Sequence, residues 1–197
     1  MPMNREQLED RLAELPLYAY FFLESKDLVF TDRVRWICNN VCQMSGKTWA
    51  CPPAVGTVAE CREKCLSYPE FLMICTVTQV EDISNIDETL ATRGEHEDIT
   101  TQVEAMVRQQ GLETYTLSTE ACAICPQCAY PAPCRHPERM RPCIESHGIL
   151  LTETAEQCGI PFQYGDNVVT WFSLIFFREK PEKSNNAAQT AADTVIV

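Results

Sequence analysis

Hydrophobic positions fall at helical spacing in residues 5–15, where Leu8, Leu12 and Leu15 share one face. Residues 19–23 and 28–30, rich in aromatic and branched side chains, predict strand. Residues 33–39 predict a helical turn. The run Thr57-Val-Ala-Glu60 is a capping box, so a helix opens after Thr57 and runs to about Ser67. Cys61 and Cys65, four apart, share one face of it. Residues 71–80 predict a strand. A longer helix follows over residues 98–110, with Ile99, Val103, Met106 and Val107 as its apolar stripe and Gly111 just past its end. Residues 113–118 predict a short strand. Residues 144–158 are helical, with a break at Gly148 and closure at Gly159 and Pro161. The clearest strand is 168–177, whose near-continuous apolar character predicts burial on both faces. This order of elements predicts an α+β fold, a single domain over residues 1–178. It has one sheet of about four or five strands, packed helices, and a long cysteine-rich metal-binding loop. Strand order is not written in the pattern. Residues 179–197 predict a disordered tail.

Composition narrows the chemistry. At 197 residues the chain suffices for one sizeable core. A formal net charge of −12 argues against nucleic-acid partners and anionic membranes, which need a basic surface. No run approaches the ~18 consecutive apolar residues of a membrane span, and the first residues lack the apolar core of a secretory signal. The expected location is the cytoplasm. That bears on the 12 cysteines, because disulfides are rare there and clustered thiols point to metal or catalysis.

Four thiols crowd into residues 122–134, CAICPQCAYPAPC, in the spacing C-x2-C-x2-C-x5-C. A C-x2-C turn brings two thiolates to one centre and serves both zinc and iron–sulfur sites. Zinc sites pair two such turns a dozen or more residues apart, whereas a tight triplet with a fourth cysteine soon after resembles the bacterial ferredoxin run. The fourth spacing here is five, and Arg135 stands where that run has proline. A long irregular loop in a small domain needs something to hold it, and a bound metal does so. Arg135, Arg139 and Arg141 after this group, and Arg33 and Arg35 before Cys38, are either solvated surface or compensation for a negative metal site.

The second group is Cys38, Cys42, Cys51, Cys61 and Cys65. Cys38-x3-Cys42 begins like a radical S-adenosylmethionine signature, but Ser45 stands where the third cysteine would be. Cys51 precedes two prolines, which fix the backbone beside a ligand. Cys61, near a helix N-terminus, or Cys65 supplies a fourth donor. Cys75 and Cys158 fit the core, Cys143 is a spare sulfur behind the loop, and His136 fits the surface. His96 and His147 carry no pattern. There is no phosphate loop, nucleophile elbow or zinc-protease motif.

The stretches VRWICNNVC, SGKTWACPPAVGTVAECREKC and CAICPQCAYPAPCRHPERMRPCIESHGI span about residues 33–149. Together they resemble a cysteine-rich family of unknown function labelled predicted metal-binding protein, found largely in anaerobic bacteria and archaea. Two departures are Ser45, where the family tends to an aromatic, and Cys143, where it tends to serine. The resemblance implies a metal site, of iron–sulfur type, and no particular reaction. The expectation is one 4Fe–4S cluster on Cys122, Cys125, Cys128 and Cys134. A second is expected on Cys38, Cys42 and Cys51, with Cys61 ahead of Cys65 as fourth ligand and Cys143 as a further alternative. The task is one-electron transfer with a redox protein or enzyme partner of basic surface. The alternatives are an iron–sulfur enzyme with an open iron site, or a zinc-stabilised interaction module.

Overall fold

The structure is a computed structural model that describes residues 3–161 and 164–180. Four strands form one antiparallel sheet: β1 (Ala19–Glu24), β2 (Glu70–Gln79), β3 (Leu112–Ser118) and β4 (Val168–Glu179), in the order β1-β2-β4-β3. β2 and β4, the two longest, lie in the middle and pair from Glu70↔Phe177 to Gln79↔Val168. Alternation along them divides the core. Phe71, Met73 and Cys75 with Phe172, Leu174 and Phe176 face one way, and Leu72 and Ile74 with Ile175 and Phe177 face the other. Both faces are covered, which is why the β4 sequence is apolar at nearly every position.

Helices α1 (Arg5–Leu12) and α5 (Arg93–Gln109) cover the second face through Leu8, Leu12, Ile99, Val103 and Val107. The first face takes α3 (Val58–Leu66), α6 (Leu151–Gln157) and the segment between Ile144 and Ile149. The Thr57 capping box forms with both bonds in place, Thr57 N–H to Glu60 Oε2 at 2.7 Å and Glu60 N–H to Thr57 Oγ1 at 3.2 Å.

Five local readings change. Residues 28–30 do not form a strand: a 3-10 turn at Ser25–Asp27 leads to a lone bridge, Phe30↔Ile149, because Thr31 must at once cap α2 (Asp32–Asn40). Helix α5 begins at Arg93, five residues before Asp98. Its first turn is buried through Arg93 and His96, so it adds nothing to the apolar stripe. A two-turn helix, α4 (Ile86–Ala91), precedes it with no buried residue, hence no stripe to read. Residues 144–158 divide into a 3-10 turn at Glu145–His147 and α6, parted by left-handed Gly148 at φ 74°. Glu179, placed in the tail by its composition, ends β4 as the partner of Leu112. Residues 181–197 lie outside the described residues.

Candidate metal centre

The cysteine loop leaves β3 at Ser118 and returns beside it. Ser118 N–H donates to Pro142 O and Ile144 N–H donates to Ser118 O, both at 3.0 Å, so the excursion is closed at its base. Two arginines tie the base to α5. Arg93 donates to the Ala121 carbonyl and to Glu97 Oε1 at 3.1 Å. Arg141 spans Glu97 Oε2 at 3.0 Å and Glu104 Oε2 at 2.9 Å, with Thr101 Oγ1 at 3.0 Å. Arg141 is therefore neither solvated surface nor a free counter-charge to sulfur. It is a clamp, and Glu97 and Glu104 can share it because they are seven apart, two turns along one helix face. Nothing in the sequence announces that pairing.

Cys122, Cys125, Cys128 and Cys134 are all half-buried and line one small cavity of about 20 Å³, together with Trp49 and His136. Trp49 pins the loop from outside: its Nε1–H donates to Ala132 O at 2.9 Å, and its ring meets Tyr130 edge-on at 5.1 Å. Two of the sulfurs accept main-chain N–H groups from two residues on. His136 N–H donates to Cys134 Sγ at 3.4 Å, and the Ile124 N–H does the same for Cys122. At Cys122 burial pushes the thiol up, and the main-chain bond and the nearby Arg93 charge oppose it by favouring the thiolate.

The N-terminal cysteines divide into two places. Cys38 sits in the last turn of α2, Cys42 just beyond it, and Cys51 in a turn where its N–H reaches Thr48 O at 3.4 Å. Burial pushes Cys38 up to about 11, with the charges of Glu145, Cys42 and Cys51 acting the same way. Cys51 is raised by burial too, against the Thr48 hydroxyl, and it feels Cys42, Glu120 and Cys122. The two cysteine tracts are thus neighbours. Cys143 is buried, donates to Glu145 Oε2 at 2.8 Å, and its N–H bonds to Ala50 O at 3.0 Å.

Cys61 and Cys65 lie on the buried face of α3, as their spacing predicts. Cys61 Sγ donates to Val55 O at 3.2 Å and accepts from Arg35 Nη2 at 3.5 Å. Burial raises it and Arg35 opposes. Burial pushes Cys65 up to about 12, and Cys75, in the middle of β2, likewise. Cys158 is partly exposed at the end of α6, packed on the core. Two histidines are structural. His96 lies between Thr76 Oγ1 at 2.9 Å and Ser173 Oγ at 2.8 Å, and His147 meets the Tyr115 hydroxyl at 2.6 Å. Burial lowers both to about 4, so both are neutral at pH 7.

All 12 cysteines are free thiols. Among the described residues no three Cys, His, Asp or Glu donors are already gathered as a metal site. The donor chemistry nonetheless fits: soft sulfurs around one cavity, with main-chain N–H groups turned toward two of them, suit zinc or iron–sulfur binding. Beside the loop runs a cleft of about 1130 Å³ along α5, reached by Cys122, Cys125 and Cys128 and by the side chains of Lys47 and Arg139. Among the described residues no helix is long and apolar enough to cross a membrane.

Residues 22–177 match the family described as "Predicted metal-binding protein (DUF2284)", and the chain belongs to that family. No curated protein and no solved structure matches it.

Proposed function

We propose that this member of the predicted metal-binding family carries a 4Fe–4S cluster on Cys122, Cys125, Cys128 and Cys134 and works in one-electron transfer with a partner enzyme. The observation that carries the reading is that these four cysteines, twelve residues from first to last, line one cavity, with N–H groups directed at Cys122 and Cys134. A cluster held there supplies reversible one-electron chemistry. The protein's own contribution is to position and tune. Trp49 holds the outer limb of the loop, Arg93 and Arg141 hold its base, and the N–H groups stabilise thiolate charge. A second centre rests on Cys38, Cys42 and Cys51. The net charge of −12 suits docking to a basic patch on a cytoplasmic redox partner.

The cleft along α5 favours a second reading, an iron–sulfur enzyme whose substrate lies against Cys125 and Cys128. A zinc-stabilised interaction module is the third. Chain purified without oxygen decides between metals. The expected result is a brown protein with iron and acid-labile sulfide in equal amounts and a paramagnetic signal on reduction. A colourless protein holding zinc without sulfide would sink the cluster and leave the interaction module.

A further inference from the structure

We propose that the second centre is completed by Cys143, so that its donors are Cys38, Cys42, Cys51 and Cys143, with Cys61 outside it. This rests on the reading that the chain binds metal through its cysteines.

Three segments meet at this point. The end of α2 brings Cys38 and Cys42 and packs on the 3-10 turn at Glu145–His147. The Cys51 turn is joined to the returning limb of the loop by the bond from Cys143 N–H to Ala50 O, at 3.0 Å, one residue before Cys51. Cys143 follows Pro142, whose carbonyl is fixed by Ser118, so its backbone position is set by the sheet. The side chains then influence one another in a closed ring. Cys42, Cys51 and Glu145 act on Cys38, Cys42 acts on Cys51, and Cys51 and Glu145 act on Cys143.

Cys61 belongs to a different neighbourhood. The charges acting on it are those of Arg35 and Glu60, and its sulfur is engaged by Val55 O and Arg35 Nη2. It shares a helix face with Cys65, which packs in the core with Tyr68. Bringing Cys61 to Cys51 would break the Arg35 bridge, which also holds Gly56 O at 2.7 Å.

The Cys143 side chain is fixed on this turn by its bond to Glu145 Oε2 at 2.8 Å. Four soft sulfur donors select zinc or an iron–sulfur cluster.

The test is anaerobic reconstitution of the full chain with ferrous iron and sulfide, counting iron per folded chain. Cys143→Ser keeps a donor for Glu145 and is expected to halve the iron bound, while Cys61→Ser keeps all of it. Full iron in Cys143→Ser, or half in Cys61→Ser, overturns the assignment. Should Cys143→Ser fail to fold, selenium put in place of the Cys143 sulfur decides the matter in an otherwise unaltered chain. X-ray absorption at the selenium edge should find an iron neighbour, and its absence overturns the assignment. A wild-type chain that takes up no iron sinks the underlying reading instead, which separates the two failures.

Discussion

Replacing Arg141 by Met tests whether the cysteine loop is held by a buried clamp. The guanidinium is 12% exposed and spans Glu97 at 3.0 Å and Glu104 at 2.9 Å, which are themselves 25% and 11% exposed. Removing one partner of a buried pair costs about 3–5 kcal/mol when the other charge is left alone. Here neither carboxylate is wholly abandoned: Glu97 keeps Arg93 at 3.1 Å and Ser118 at 2.6 Å, and Glu104 keeps Arg108 at 2.7 Å. The expected loss is therefore below that range, about 2–3 kcal/mol. For a chain of this size that is a fall in Tm of about 4–12 °C. The assay is urea unfolding of both proteins at equal metal content, with an unchanged slope showing that the unfolded state is the same. Arg141→Lys should recover little, since one ammonium does not reproduce a fork across two carboxylates. Arg141→Met combined with Glu104→Gln should lose less than the sum of the single changes. A loss under about 0.5 kcal/mol, as for a surface pair, or strict additivity, would refute the clamp.

Two further outcomes follow from buried polar groups and from backbone. His96 is buried with a folded value of about 4 against an ordinary 6.5, so the unfolded chain takes up a proton first as pH falls. Its contribution is fully present above 6.5 and is lost between 6.5 and 4. The loss amounts to about 2–3 kcal/mol at pH 4.5, read as a drop in urea midpoint from pH 7. His96→Gln should shrink that drop without abolishing it, because His147 is shifted the same way, and an undiminished drop in the variant would contradict the reasoning. Gly148→Ala should cost more than Gly111→Ala. Both have positive φ, but a Cβ at 148 meets Val58 Cγ1 at 3.0 Å and Thr31 O at 3.1 Å, whereas at 111 it meets nothing within 4 Å. The strain alone is worth about 1 kcal/mol, so equal losses in the two variants would show that the packing at 148 yields freely.

What the chain discloses in advance is what periodicity and local chemistry can carry. The run at β4 and the stripe of α5 are legible because side chains on a regular element repeat with its geometry. The Thr57 box is legible because both its bonds lie within four residues. The first turn of α5 is not, because Arg93 and His96 are buried by partners far along the chain, Ala121 and Ser173. The same limit applies to the site. Spacing announces the set from Cys122 to Cys134, since its members share one loop. It cannot show that the Cys51 turn lies beside Cys122, or that Cys143 comes back to Ala50, because those approaches depend on how β3 and β4 pair.

The loop's architecture explains why sulfur chemistry and fold are one problem here. Its base is fastened by the Ser118 bonds, Arg93 and Arg141, and its outer limb by Trp49. Between those points, around Cys125 and Cys128, the chain is too poor in apolar side chains to order itself by burial, yet it must be ordered if four sulfurs are to share one centre. Ordering a backbone costs free energy at every residue. An external scaffold that fixes both ends and one midpoint removes most of that cost before any ion arrives, leaving short arcs to close. The short arcs keep the sulfurs near enough to converge on one centre. Metal binding to such a loop is then coupled to proton release and to the last step of its folding.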